Sequence, residues 1–313
     1  MLEVVEPGLL TTVQDTMGRG EWRHLGVPAG GAADPWCARL ANRLVGNPDG
    51  AALLEVTLHG PTLRAGSPVL AALTGALDAS IDGLAWPTGT SRVLRAGSVL
   101  RVTDGTDARG YLAFAGGIGV EPVLGSRSTD LRSGFGGLAG RALRAGDRLP
   151  LGAGAPAAPR RWIGQPSSGP IRIVAGPHAD RLAPDALTAA TWRLSHQSDR
   201  TGARLEGPTL TAGVEEIASV GLPAGAVQLP PGGLPIIALA DRPVTGGYPV
   251  PAVVIGADVG RVGRMRPGDE LRFAEVSLDE ARVALRLAAD ALDATEGLAA
   301  PGDDDAAWAG LPG

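Results

Sequence analysis

Short runs of Val, Leu and Ile, separated by glycine and proline, extend over most of this chain. The 47 glycines and 26 prolines make up almost a quarter of its 313 residues, and both residue types favour turns and interrupt helices. The runs at residues 52–58, 69–73, 99–102 and 111–115 are typical of strands bounded by turns. The pattern therefore predicts a turn-rich, mainly β protein.

Two segments carry helix-start signals. Asp34 is suited to cap a helix whose first residue is Pro35, and one face of that helix holds Trp36, Leu40 and Leu44. A later helix is expected to begin at Ser277.

At that later start, Glu280 is placed to form a capping box with Ser277. Val283, Leu287 and Ala291 then follow one face.

The chain is long enough for two domains of ordinary size. Residues 151–160 consist mostly of Gly, Ala and Pro, which is typical of a linker. We therefore expect one β domain at residues 1–150 and a second at 161–298. Residues 299–313, with three consecutive aspartates and several glycines, are expected to form a flexible tail.

The absence of lysine limits the chemistry of this chain. All 28 basic residues are arginine, so a Schiff-base lysine, a P-loop lysine and a biotinyl-lysine carrier are excluded. If ATP or biotin takes part in the function, another fold or another polypeptide must supply those devices.

Charge and cysteine content indicate the class of binding partner and the cellular compartment of the protein. A net charge of −5 and a pI near 5.4 argue against nucleic acid or an anionic membrane as the main partner. The single Cys37 cannot form an internal disulfide. From the apolar runs we expect neither a signal peptide nor a membrane span. We expect a cytoplasmic protein.

The segment 227–248 is the most informative for function. An extended apolar run leads into a polar loop that contains Asp241, Arg242, Thr245, Gly246, Gly247 and Tyr248. Acid, base and hydroxyl groups beside two glycines suit a site where a small polar ligand approaches the backbone. A strand followed by a wide turn is the alternative.

A second polar loop follows the first apolar run. Gln14, Asp15 and Arg19 lie between glycines there. Asp15 and Arg19 are expected either to pin the loop as an ion pair or to form a site for an anion or amide, with Arg19 binding charge through its planar fork.

A third glycine-rich region spans residues 115–141. Ser126, Arg127, Ser128 and Thr129 lie between its glycines, and such a loop is able to present several backbone N–H groups to an oxyanion. Glycine-rich turns of a barrel are the alternative, and the motif is neither a Walker A nor a dinucleotide fingerprint.

Charges alternate in the segment 198–207. Arg200 and Arg204 either face a substrate or brace Asp199 and Glu206. The four histidines are far apart and form no ligand pair, so no metal site is expected.

These loops, in this order, resemble the KipA-like family, also called allophanate hydrolase subunit 2 or biotin-dependent carboxyltransferase-like proteins. The likeness extends from about residue 2 to residue 273, and its departures are Val244 and the pair Gly263-Arg264. The matching segments are 11–15, 18–19, 30–34, 41–42, 111–117, 125–129, 136–141, 198–205, 228, 235–237, 241–242, 245–249 and 266–269.

The resemblance implies two cyclophilin-like β-barrel domains with peripheral helices. It also implies one component of a 5-oxoprolinase complex that uses ATP to open 5-oxoproline to L-glutamate, together with a KipI-like partner and a LamB/YcsF-like partner. Two alternatives stay open. One is a biotin-dependent carboxyltransferase related to urea amidolyase, and the other is a regulatory protein that binds a KipI-like kinase inhibitor.

A lactam is a poor electrophile because its nitrogen lone pair is delocalised. A site that opens it needs N–H and cationic donors for the carbonyl oxygen, each worth about 3 kcal/mol when well placed. It also needs a carboxylate for proton transfer. The catalytic candidates are Asp15, Arg19, Asp241 and Tyr248. The substrate-binding candidates are Arg127, Ser128, Gln228, Thr245, Gly246 and Gly247.

Overall fold

A computed structural model describes residues 1–154, 157–210 and 216–298. The predicted tail at 299–313 lies outside these described residues. The helices of the described residues are α1 (Pro35–Leu44), α2 (Gly256–Arg264) and α3 (Leu278–Asp290), with 3-10 turns at Gly20–Leu25, Ala179–Arg181 and Ala291–Asp293.

Two sheets carry the first half of the chain. Their strands are β1 (Leu2–Glu6), β2 (Leu10–Gln14), β3 (Leu53–Thr57), β4 (Thr62–Ala65), β5 (Val69–Thr74), β6 (Ala79–Ile81), β7 (Leu84–Ala85), β8 (Thr90–Leu94), β9 (Val99–Val102), β10 (Arg109–Phe114) and β11 (Arg148–Leu149). One sheet has the order β11-β1-β4-β9-β6-β7, and the other contains β2-β3-β10-β5-β8.

A closed barrel forms most of the second half. The remaining strands are β12 (Arg160–Trp162), β13 (Ile171–Ala175), β14 (Thr191–Leu194), β15 (Gly202–Glu206), β16 (Val220–Gly221), β17 (Ala226–Gln228), β18 (Ile236–Ala238), β19 (Thr245–Gly246), β20 (Ala252–Val254), β21 (Glu270–Glu275) and β22 (Thr295–Gly297). The barrel order is β13-β20-β17-β18-β15-β14-β21, closed by the parallel pair β13 and β21. The predicted mainly β fold is therefore confirmed.

The two ends of the second half join the first half. Strand β12 pairs with β8 and with β22, so the order β2-β3-β10-β5-β8 continues as β12-β22. Sequence patterns did not predict that β12 and β22 join the sheet of the first half, because both strands are short and pair with residues distant in the chain. The division at residues 150 and 161 remains a prediction.

Each half has its own apolar core. In the first half, Leu54, Leu73 and Phe114 are buried on strands of one sheet and pack with Leu63 and Leu100 of the other. The barrel encloses a second core built around Trp192, which is fully buried.

Helix α1 forms as predicted. The Asp34 carboxylate accepts from the backbone N–H groups of Trp36 and Cys37, and Pro35 occupies the first turn. Leu40 and Leu44 are buried.

Helix α3 begins at the predicted capping box, where Ser277 and Glu280 exchange hydrogen bonds. Its packed face differs from the expected one, since Val283 and Leu287 are 45% and 62% exposed while Ala284 is buried. The alanine face brings the backbone close enough for the Trp36 indole to donate to the Ala288 carbonyl.

Helix α2 has no sequence signal because its three glycines weaken helix propensity. Tertiary contact explains them. A Cβ on Gly260 would collide with the Asp34 carboxylate, and one on Gly263 would lie 2.6 Å from the Ala33 carbonyl oxygen. The glycines therefore let α2 of the second half pack directly on the first half.

Arginines of the second half anchor this contact. Arg264 pairs with Asp34 (2.6 Å) and with Asp107. The Arg266 guanidinium donates to the Gly105 carbonyl of the first half. These contacts join helix α2 and the turn after it to the first half.

Candidate functional site

The Asp15 carboxylate organises the first polar loop. It accepts hydrogen bonds from the backbone N–H groups of Met17, Gly18 and Arg127 and from the hydroxyls of Ser126 and Ser128. Asp15 is buried, and five donors saturate its two oxygens, which have about four lone-pair sites. The contacts support the loop-pinning interpretation, although the partners are N–H groups and hydroxyls instead of Arg19.

Arg19 is buried without a carboxylate partner among the described residues. Its Nε donates to the Val123 carbonyl (3.1 Å), its Nη2 donates to the Ser128 carbonyl, and Phe135 stacks on it at 4.7 Å. Burial lowers the pKa of Arg19 despite the attraction of Asp15. The guanidinium is thus a positive group held in place by neutral acceptors.

Arg19 and Asp241 approach the same point from opposite halves. A Cβ on Gly30 would lie 3.4 Å from Nη1 of Arg19 and 3.9 Å from Oδ1 of Asp241. No hydrogen bond from this Nη1 is found within the described ranges. Gly30, at φ 64°, therefore has no side chain at the position where a Cβ would contact both a cation and a carboxylate.

Arg200 links Asp241 to the first half. Its Nε and Nη2 donate to the two Asp241 oxygens at 2.7 and 3.0 Å, while Nη1 pairs with the buried Glu55. Burial alone would lower the pKa of Arg200, but Glu55 and Asp241 raise it. We call Glu55, Arg200 and Asp241 the ionic bridge.

Glu55 has two further hydrogen-bond partners outside the ionic bridge. Its Oε2 accepts from the Ala33 N–H (2.7 Å) and the Tyr111 hydroxyl (3.0 Å). Burial would raise the pKa of Glu55, but Arg200 and Arg109 lower it. Glu55 is therefore ionised at neutral pH.

A second cluster of arginines lies beside the ionic bridge. Nη2 of Arg23, from the first half, and Nε of Arg242, from the second, both donate to the Leu222 carbonyl at 2.9 Å. Burial, together with the charge of Arg23, lowers the pKa of Arg242 to about 10. We call Arg23 and Arg242 the arginine pair.

The end of the predicted 227–248 segment borders the arginine pair. Strand β19 pairs with β16, and the backbone of Gly246 lies against the Gln228 amide, where any Cβ would clash. Gln228 is buried, and no described residue hydrogen-bonds to its amide. Thr245 is exposed and Tyr248 is half-buried beside Gly247.

The structure does not bring every candidate together. Arg127 is exposed, and its Nε donates to the Val120 carbonyl (2.8 Å), so its guanidinium is directed to its own loop. Ser128 is fully buried and bonded to Asp15. The catalytic and binding roles assigned to all these residues stay predictions.

No group of three or more metal-binding side chains occurs in the part of the chain that the structure describes. Within the same part, no helix combines the length and apolarity needed to cross a bilayer. Two cavities, of about 560 and 330 Å³, lie at the α2–barrel junction and beside Ala179–Arg181, and neither is lined by a predicted site residue.

The family model for the carboxyltransferase domain, subdomains A and B, matches residues 25–275. The chain belongs to the carboxyltransferase domain family. This confirms the resemblance drawn from the polar loops.

Relatives in this family include bacterial and yeast proteins. The chain is 41% identical to the 5-oxoprolinase C subunit of Escherichia coli over 90% of its own length and 93% of the relative. It is 34% identical to the corresponding 5-oxoprolinase protein of Haemophilus influenzae, of which 93% is covered. It is 33% identical to urea amidolyase of Lachancea kluyveri, of which it spans 17%.

Solved structures of the carboxyltransferase domain family share the fold. The crystal structure of TTHA0988 is 40% identical with a TM-score of 0.79, covering 87% of this chain and 55% of that one. The K. lactis urea amidolyase is 30% identical with a TM-score of 0.86, covering 93% of this chain and 20% of that one. This chain thus spans about half of the first protein and a fifth of the second.

Sequence reasoning missed Glu55 and Arg23, and it expected Arg200 to brace Asp199 or face a substrate. A signal for Glu55 existed, because it is an acidic residue inside the apolar run 52–58. Arg23 gave no signal, since only tertiary contact brings it to Arg242.

Proposed function

We propose that this chain is one component of an ATP-dependent 5-oxoprolinase complex that opens 5-oxoproline to L-glutamate. The observation that carries the proposal is the convergence of Arg19 and Asp241 at Gly30, where both groups come within contact distance of the same side-chain-free position. A cation facing a carboxylate suits a reacting amide, which needs its oxygen polarised and its nitrogen protonated. Two bacterial relatives, each named as the C subunit of 5-oxoprolinase, support the same reaction.

In this proposal the lactam lies at Gly30. Nη1 of Arg19 donates to the lactam oxygen, where negative charge develops. Asp241, oriented by Arg200, handles the proton of the attacking or leaving group. The backbone of Gly246 and Gly247, with Gln228 and Tyr248, borders the substrate. Asp15 acts indirectly, by fixing the loop that carries Arg19.

ATP and the remaining components belong to the same proposal. The chain contains no lysine for a P-loop, so we place the ATP-binding site on a partner polypeptide. The proposed partners are a KipI-like protein and a LamB/YcsF-like protein.

The test is a coupled assay with the three co-purified proteins, 5-oxoproline and ATP, in which glutamate formation is measured. Arg19→Gln is expected to lower kcat/KM about a hundredfold, the usual loss on removal of one well-placed donor. Asp241→Asn removes the proton-transfer carboxylate and is expected to lower it by about a hundredfold as well. Arg286→Gln, a change at an exposed position on α3, is the matched control and is expected to have no effect.

A carboxyltransferase acting on urea is the second candidate. It is favoured by the match to the K. lactis urea amidolyase over 93% of this chain. A complex that is inactive on 5-oxoproline but carboxylates urea in an avidin-sensitive manner would replace the first proposal by this one.

A further inference from the structure

Two guanidinium groups from opposite halves meet at one carbonyl oxygen. Arg23 and Arg242 both donate to the Leu222 oxygen at 2.9 Å, so the groups are neighbours. Their other acceptors are also carbonyls, those of Val244 and Leu239. Like charges repel at this distance, and half-burial of both side chains strengthens the repulsion.

No carboxylate of the described residues pairs with either arginine. Asp241 directly precedes Arg242 in the chain, but both of its oxygens accept from Arg200. Burial and the charge of Arg23 lower the pKa of Arg242 to about 10. Arginine keeps its positive charge in proteins, so the pair carries two positive charges without a paired carboxylate among the described residues.

The pair also retains unused donors. No described residue accepts from Nε or Nη1 of Arg23 or from Nη2 of Arg242. These nitrogens are outside the set of buried unpartnered atoms, so solvent or a ligand reaches them. A guanidinium fork with free N–H groups matches the two oxygens of a carboxylate.

We propose that Arg23 and Arg242 form a subsite for the carboxylate of the substrate whose amide lies at Arg19 and Asp241. This inference rests on the proposed function, and it adds the residues that bind the carboxylate of the substrate. A site with this subsite accepts an anionic lactam, such as 5-oxoproline, and discriminates against neutral amides, such as urea. Binding of the carboxylate also relieves the repulsion within the arginine pair.

Phosphate shares oxyanion chemistry with a carboxylate, so the test separates the two. Isothermal titration of the full chain would use 5-oxoproline, pyrrolidin-2-one and inorganic phosphate. Pyrrolidin-2-one is the same lactam ring without the carboxylate. Wild-type protein is expected to bind 5-oxoproline at least tenfold more tightly than either of the other two.

Arg23→Gln and Arg242→Gln are each expected to weaken 5-oxoproline binding at least tenfold and to leave pyrrolidin-2-one binding unchanged. Arg286→Gln is the matched control and should bind 5-oxoproline as the wild type does. Thermal unfolding of each variant shows whether it is folded. If one variant does not fold, the other still tests the subsite.

Unchanged 5-oxoproline affinity in a folded glutamine variant would overturn the subsite. So would phosphate binding tighter than that of 5-oxoproline, or no binding of 5-oxoproline by a chain that is active within its complex. If the pair binds 5-oxoproline but the assembled complex forms no glutamate, the subsite stands and the proposed function fails.

Discussion

The ionic bridge and the arginine pair lie side by side at the boundary between the halves, yet their charge balance is opposite. In the bridge, Arg200 is matched by Glu55 and Asp241. In the pair, Arg23 and Arg242 share carbonyl acceptors and lack a carboxylate of the described residues. The bridge has two carboxylates for one guanidinium and joins the halves. The pair has two guanidiniums, and in the proposed subsite the anion of the substrate completes it.

The largest effect is expected from breaking the ionic bridge. Arg200→Met removes the hydrogen-bonded cation of the buried Glu55 and leaves it the longer ion pair with Arg109, at 3.9 Å. The free energy of unfolding should fall by about 3–5 kcal/mol, the usual cost of removing one partner of a buried ion pair. Chemical denaturation measures it.

The double variant Glu55→Gln with Arg200→Met is the control for this change. It removes the stranded charge and should recover part of the loss. A loss below about 1 kcal/mol in the single variant would contradict the structural role of the bridge.

The second-largest effect is expected from acid, which should lower the stabilisation that the ionic bridge contributes. Because the folded-state pKa of Glu55 is lowered, its stabilisation is fully present above the unfolded pKa, near 4.3, and is lost as pH falls through the folded value. Unfolding free energies measured between about pH 3 and 7 should therefore fall less steeply for Glu55→Gln than for wild type. Parallel curves would refute this assignment.

A smaller effect is expected in the ligand-free arginine pair. Arg242→Gln loses hydrogen bonds to Leu222 and Leu239 but removes repulsion from Arg23. The two effects oppose each other, so the unfolding free energy should change by about 1 kcal/mol or less. A loss as large as that of Arg200→Met would show that the pair is structural.

The smallest effect is expected at an exposed ion pair. Arg193 and Glu270 lie on neighbouring barrel strands, with side chains 57% and 60% exposed. Arg193→Ala should change the unfolding free energy by about 0–1 kcal/mol, and added salt should reduce the difference. A larger loss would mean that exposure is a poor guide to the strength of ion pairs in this chain.

Local sequence signals predicted the elements that depend on local chemistry. The turn-rich β pattern, the Asp34 cap and the Ser277 capping box depend on residues a few positions apart, and each is present. The polar loops pointed to Arg19 and Asp241 for the same reason, since charge beside glycine stands out within a short window.

What the amino-acid sequence determined by itself was a mainly β chain with no lysine-based chemistry and with the polar loops of the carboxyltransferase domain family. Tertiary structure alone decided that Asp15 pins a loop, that α2 packs through glycines and that Arg200 joins Glu55 to Asp241. The physical reason is that the cost of burying a charge depends on partners distant in the chain, which short-range patterns do not specify.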